Sequence, residues 1–292
     1  MAAFIRWSRR TLMAAVAATV LGKWAHHPAR AMIDPSSWRW AVDYGANSDP
    51  ALARRYQLLV LEPDHAREIA KLRGPHSVLL GYVSLGEVEK SRPYFQDLLA
   101  AGALTKPNPN WPDARMADPR HPAWRLVLLD HIIPAILARG YNGIFIDTTD
   151  SVEAMEQAEP LENKGMIDAA AELILAIRSR FPDIQIMLNR GYAVLPQVTG
   201  AINYLLGEAM ASRWNFTRNS YELLSDEDWN WQATRLRSAQ SANPALRILT
   251  LDYWNSEDMG QTAALYARER KAGFLPYVAT LALDHLVDEP GG

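Results

Sequence analysis

The chain has 292 residues, of which 49% are hydrophobic and 22% charged, with no cysteine and a formal net charge of -3. A disordered polyelectrolyte is excluded because it would lack the apolar residues, and a disulfide scaffold or thiolate metal site because it would need cysteine. The length suits a single large α/β domain or two small ones, and either buries a sizeable core.

Residues 1–31 differ from the rest, with five basic residues (Arg6, Arg9, Arg10, Lys23 and Arg30) and no acid. The apolar run 11–21 has the length of a signal-peptide core, short of the roughly 20 residues that span a bilayer. Ala29-Arg30-Ala31 then supplies the small-x-small pattern a signal peptidase reads. The sequence predicts an export signal over 1–31, an uncleaved N-terminal anchor being the alternative, and a mature domain over 32–292. Location is then periplasmic or secreted, with no stable membrane span after cleavage. Ser8-Arg9-Arg10-Thr11-Leu12 also resembles a twin-arginine signal. Cleavage after Ala31 leaves 261 residues with 25 Lys and Arg against 33 Asp and Glu, a net charge of -8. So acidic a domain speaks against nucleic acid as a partner and for a neutral or cationic one.

Along the mature domain, apolar runs at 38–43, 58–62, 78–84, 143–147, 184–189, 201–206, 247–252 and 274–278 predict eight strands. Leu58-Leu59-Val60-Leu61 and Ile144-Phe145-Ile146 are continuously apolar, as parallel strands covered on both faces require. Helical periodicity falls between them, at 64–72, 122–139, 167–180, 226–241 and 256–272. In the third of these Ile167, Ala170, Ala171, Ile174 and Ile177 form one stripe before Phe181-Pro182-Asp183 ends it. Alternating strands and helices over 261 residues predict a single-domain (β/α)8 TIM barrel. A doubly wound sheet competes, but no glycine-rich phosphate turn follows Asp43.

Strand ends carry the functional signal. The runs end at or near Asp43, Glu62, Glu87, Asp147, Asn189, Glu208 and Asp252, and in a barrel such ends converge on the face where active sites are built. Like charges crowded there raise one another's pKa and cost desolvation energy, so the set points to chemistry. Capping of the next helix is the alternative for Glu62 and for Asp252. Asp147-Thr148-Thr149-Asp150 lacks the glycine and further acids of a calcium loop, and the five histidines of the mature domain show no zinc pairing. Gly81-Tyr82-Val83-Ser84-Leu85-Gly86 misses a nucleophile elbow by one residue. No metal or cofactor is expected, and two carboxylates hydrolysing a glycosidic bond are the best remaining chemistry. A silent polysaccharide-binding barrel, or a metal-dependent hydrolase on the same acids, would show the same pattern. Trp111 and Trp214 lie in long loops, 102–122 and 210–225, and are candidates for stacking on sugar rings.

Tyr82-Val83-Ser84-Leu85-Gly86-Glu87, the segment 140–150, Leu188-Asn189-Arg190-Gly191-Tyr192, Gly207-Glu208 and Asp252-Tyr253 resemble, in order, the glycoside hydrolase family 114 superfamily. These are endo-α-1,4-polygalactosaminidase-like barrels, and Ser91-Arg92-Pro93-Tyr94-Phe95 with Asn189-Arg190-Gly191 is most similar to the Pel polysaccharide branch. The resemblance implies a (β/α)8 fold, endo-hydrolysis of α-1,4-linked galactosamine or N-acetylgalactosamine polymers, and Asp147 and Glu208 as the catalytic pair. A retaining enzyme is expected, with Asp147 as nucleophile and Glu208, protonated at rest, as acid/base, the two roles being exchangeable. Asp43, Tyr82, Glu87, Trp111, Asp150, Asn189, Arg190, Trp214, Asp252 and Tyr253 are expected to bind the substrate, a cationic aminosugar polysaccharide.

Overall fold

The computed structural model describes residues 38–291 apart from 66, 67 and 110, so the expected export signal lies outside the described residues. Eight parallel strands, β1 (Trp40–Asp43), β2 (Leu58–Leu61), β3 (Val78–Ser84), β4 (Gly143–Asp147), β5 (Gln185–Asn189), β6 (Tyr204–Glu208), β7 (Arg247–Tyr253) and β8 (Leu275–Ala279), are hydrogen-bonded in sequence order. At the seam Trp40 Nε1 donates to the Leu275 carbonyl at 2.8 Å, and its ring meets Tyr277 at 5.7 Å. The sheet is thereby a nearly closed barrel, the expected fold.

Burial follows the residue pattern. All four residues of β2 are fully buried, one face toward the barrel interior and the other under helices, and each such leucine contributes about 2 kcal/mol. Four longer helices pack outside: α1 (Thr149–Ala158), α2 (Met166–Arg180), α3 (Asp226–Ala242) and α4 (Met259–Lys271). The stripe on α2 buries Met166, Ala169, Ala170, Leu173, Ile174 and Ile177. Ser225 caps α3 by accepting from the Asp228 amide at 3.1 Å, with three acids in the first turn facing the positive end of the helix dipole. No helix among the described residues is long and apolar enough to cross a membrane.

Several boundaries differ from expectation. The helix expected at 64–72 is only Ile69–Leu72. The one at 122–139 is interrupted by a π-helical turn, Val127–Ile132, because Pro134 has no N–H to give the Asp130 carbonyl. The sixth strand begins at Tyr204 rather than at 201, since Thr199–Ala201 is a 3-10 turn, and it runs on through Glu208 itself. The loop at 102–122 contributes two strands to a three-stranded antiparallel sheet (Glu87–Glu89, Leu104–Pro107, Ala114–Ala117), and 210–225 contains a hairpin, Ser212–Asn215 paired with Ser220–Leu223. These excursions follow β3 and β6, three places apart in a ring of eight, and so approach each other across the mouth.

Candidate active site

The carboxyl ends of β4, β5 and β6 stand side by side and present Asp147, Asn189 and Glu208. The residue after each of the three is a non-glycine in the left-handed region: Thr148 at φ 60°, Arg190 at 48° and Ala209 at 52°. Such conformations are strained and persist only where the surroundings over-determine them. Here Thr148 Oγ1 accepts the Gly86 N–H at 2.9 Å and pairs with Ser84 Oγ at 2.7 Å. The Arg190 and Ala209 amides donate to the Leu206 and Leu251 carbonyls at 2.9 and 2.8 Å. Gly86 has to be glycine, because a Cβ there would lie 2.3 Å from the Thr148 carbonyl oxygen. Each turn leaves its preceding side chain standing on rigid strand backbone at the mouth.

Asn189 Nδ2 donates to Asp147 Oδ1 at 2.8 Å and to Glu208 Oε2 at 2.5 Å. By the triangle inequality those two carboxylate oxygens are no more than about 5.3 Å apart. Tyr253 donates its hydroxyl to Glu208 Oε1 at 2.5 Å, and the Tyr82 hydroxyl lies within the field of the Asp147 carboxyl. Tyr44, missed in the sequence, packs edge-on to Tyr82 with ring centres 5.2 Å apart.

Desolvation in the cleft floor, followed by the Glu208 charge, raises Asp147 to about 7. The sequence expectation put the resting proton on Glu208, whereas the carboxyl that burial raises is Asp147. Burial and the adjoining carboxylates push the hydroxyls of Tyr82 and Tyr253 well above the ordinary tyrosine range, which keeps both as neutral donors.

The other expected site residues divide into two groups. Around the cleft, Glu87 accepts from Ser151 Oγ at 2.5 Å and Asp150 pairs with Arg190 Nη1 at 3.3 Å. Glu62 is engaged by Arg92, whose two terminal nitrogens donate to its oxygens at 3.0 and 2.9 Å. Asp43 and Asp252 do not reach the cleft. Successive strand residues face opposite sides; Val42 and Tyr253 line the cleft, so their neighbours face away from it. Asp43 is fully buried and accepts from the Gly45 amide and Ser48 Oγ. Asp252 is 1% exposed and accepts from the Ala211 and Ser212 amides at 2.7 and 2.8 Å. Both hold loops, and direct contact with a ligand in the cleft is closed to them.

The cleft has a volume of about 1390 Å³. Eight Asp and Glu against five Lys and Arg line it, an excess smaller than six converging unpaired acids would give. Trp111, 55% exposed, meets Phe216, 52% exposed, edge-on at 5.7 Å. Since Trp111 belongs to the β3 excursion and Phe216 to the hairpin after β6, this contact crosses the mouth. Trp214 lines the cleft beside it, backed by Tyr221 at 4.8 Å. Phe216 was missed in the sequence, though it lies in the loop 210–225 already marked as functional.

The model of glycoside-hydrolase family GH114 matches residues 17–292. Among solved structures, the glycoside hydrolase domain of PelA from Pseudomonas aeruginosa aligns with a TM-score of 0.77 at 27% identity, covering 86% of this chain and 98% of that one. Aspergillus fumigatus Ega3, in a complex with galactosamine, aligns with a TM-score of 0.62 at 14% identity over 87% and 95% of the two chains, a likeness of fold. An uncharacterised protein of Deinococcus radiodurans is 26% identical over 220 residues, 72% of this chain. The chain spans 66% of that relative's length.

Proposed function

As a member of glycoside-hydrolase family GH114, the chain is a glycoside hydrolase, and we propose that it cleaves α-1,4-linked galactosamine polymers internally, with retention, using Asp147 and Glu208. The observation that carries the reading is the pair itself, joined through Asn189 with facing oxygens no more than about 5.3 Å apart. That separation favours double displacement, for which about 5 to 5.5 Å is usual, over inversion, which needs room for a water between acids roughly 6.5 to 9.5 Å apart.

In the first step an Asp147 oxygen attacks the anomeric carbon while Glu208 gives its proton to the departing glycosidic oxygen, leaving a glycosyl ester on Asp147. In the second, Glu208 takes a proton from water, the water oxygen attacks the same carbon, and Asp147 leaves as carboxylate. Asn189 holds both acids, and Tyr253 holds Glu208 from its other side. The excess of acids around the cleft suits a cationic polymer, and galactosamine, the sugar in the Ega3 complex, is the place to begin.

The test is proton NMR of fresh product from an α-1,4-galactosamine polymer. The α-anomer is expected first, followed by mutarotation. A β-anomer appearing first would mean inversion, and no new reducing ends would end the reading. We also propose that 1–31 is an export signal. Mass spectrometry of the exported protein should give a chain beginning at Met32.

Trp111→Ala is expected to raise KM for the polymer by about three- to tenfold, with kcat less affected, because one aromatic face is worth ~1 kcal/mol. Steady-state kinetics check this, and an unchanged KM would put the ring outside the substrate's path.

A further inference from the structure

The turn that follows Glu208 is gripped from three directions, and the grip depends on one polar side chain outside the barrel. Gln232 lies on α3 among buried Trp229, Ala233, Leu236 and Ala239. It is itself 8% exposed, in a stripe that packing alone would fill with an apolar residue. Its Nε2 donates to the Ala209 carbonyl at 2.9 Å, and its Oε1 accepts the Tyr192 hydroxyl at 2.7 Å. A buried amide is tolerated when both ends are engaged, and losing one bond leaves a group that water cannot reach. Ala209 is the left-handed residue directly after Glu208, and its amide donates to the Leu251 carbonyl at 2.8 Å. Beyond it, Asp252 Oδ1 takes the Ala211 and Ser212 amides. Tyr192 belongs to the loop that begins at Asn189, the amide that touches both acids.

We propose that Gln232, tied to Tyr192 and acting with Asp252, is a positioning residue that sets the Glu208 carboxyl at the glycosidic oxygen by holding the Ala209 turn. The inference rests on the reading of Glu208 as the acid/base. Gln232 reaches no substrate: it lies outside the cleft, and its effect passes through the backbone of residue 209. Asp252 anchors the far side of the same turn, which gives a role to an acid the cleft does not use.

The experiment compares Gln232→Met, Tyr192→Phe and Glu208→Gln on two substrates, the galactosamine polymer and a galactosamine oligomer carrying an aryl leaving group of low pKa. A poor leaving group needs its proton, whereas an activated one does not. Gln232→Met is expected to lower kcat on the polymer about 10- to 100-fold, as a displacement of around 1 Å at the reacting group would, with KM within about twofold. On the activated oligomer kcat/KM should stay near wild type. Tyr192→Phe should give the same signature at smaller size, and should add nothing in a Gln232→Met background, because both act through one chain of bonds. It removes only an oxygen, so it carries the test even if Gln232→Met fails to fold.

Equal losses on both substrates, or an unchanged kcat in folded Gln232→Met, would overturn the proposal. If Glu208→Gln itself shows no leaving-group dependence, the acid/base assignment fails and the proposal with it. If Glu208→Gln shows the dependence and Gln232→Met does not, the positioning role alone is lost.

Discussion

Asp147→Asn and Glu208→Gln are each expected to leave about a thousandth or less of wild-type kcat on the galactosamine polymer, with both variants still folded. Each substitution keeps the shape and the Asn189 contact and removes the ionisable group. The size of the loss follows from chemistry that needs both acids, since disabling one member of such a unit costs several orders of magnitude. Azide then separates the roles on the activated oligomer. With Asp147→Asn it takes the place of the nucleophile and gives the β-azide. With Glu208→Gln it attacks the glycosyl-enzyme and gives the α-azide. The reverse outcome would exchange the two roles, and substantial activity in either variant would remove the pair from the mechanism. The pH profile reads the same pair. Because the first step needs one proton on the pair and Asp147 is raised to about 7, kcat/KM should fall tenfold per unit above that pH.

Folding stability is expected to decline on the alkaline side, by roughly 6 kcal/mol between pH 5.5 and 9. Three carboxyls are raised, each chiefly by desolvation: Asp252 to about 6, Asp147 to about 7 and Glu269 to about 8. Glu269, on α4, is fully buried, accepts Trp229 Nε1 at 2.6 Å and feels the Asp252 charge. In the unfolded chain the three return to ordinary values near 4. Between pH 4 and 8 the folded form therefore binds more protons than the unfolded one. The stabilisation is complete below the unfolded values and disappears as pH rises through 6, 7 and 8. Urea titrations at several pH values measure it. Glu269→Gln, which keeps an acceptor for Trp229 and cannot ionise, should flatten the profile. Stability constant or rising from pH 6 to 9 would mean that water reaches these acids in the folded state.

The barrel was legible because its signals are local. Leu58-Leu59-Val60-Leu61 and Ile144-Phe145-Ile146 announce strands covered on both faces, and the α2 stripe announces a helix on the outside. A set of strand-end polar residues that includes Asp147 and Glu208 was legible because the ends of apolar runs have one common destination in such a fold, and the family resemblance singled out these two. Less was legible where one residue of register decides the outcome. Asp252 and Tyr253 are neighbours, and a strand sends one of them to the cleft and the other away. The sequence contains both and no mark of which goes where, and the same ambiguity hid the outward turn of Asp43 beside Val42.

By itself the sequence determined the fold class and a set of polar residues at the strand ends, because composition and short-range periodicity bear on these directly; the family resemblance then singled out Asp147 and Glu208 from that set. Tertiary structure alone decided that Asn189 joins the pair, that Trp111 meets Phe216 across the mouth, and that Gln232 ties Tyr192 to the turn behind Glu208. Those contacts join residues from separate strands, loops and helices. Their distances depend on barrel closure and on the path of each excursion, which no local pattern encodes.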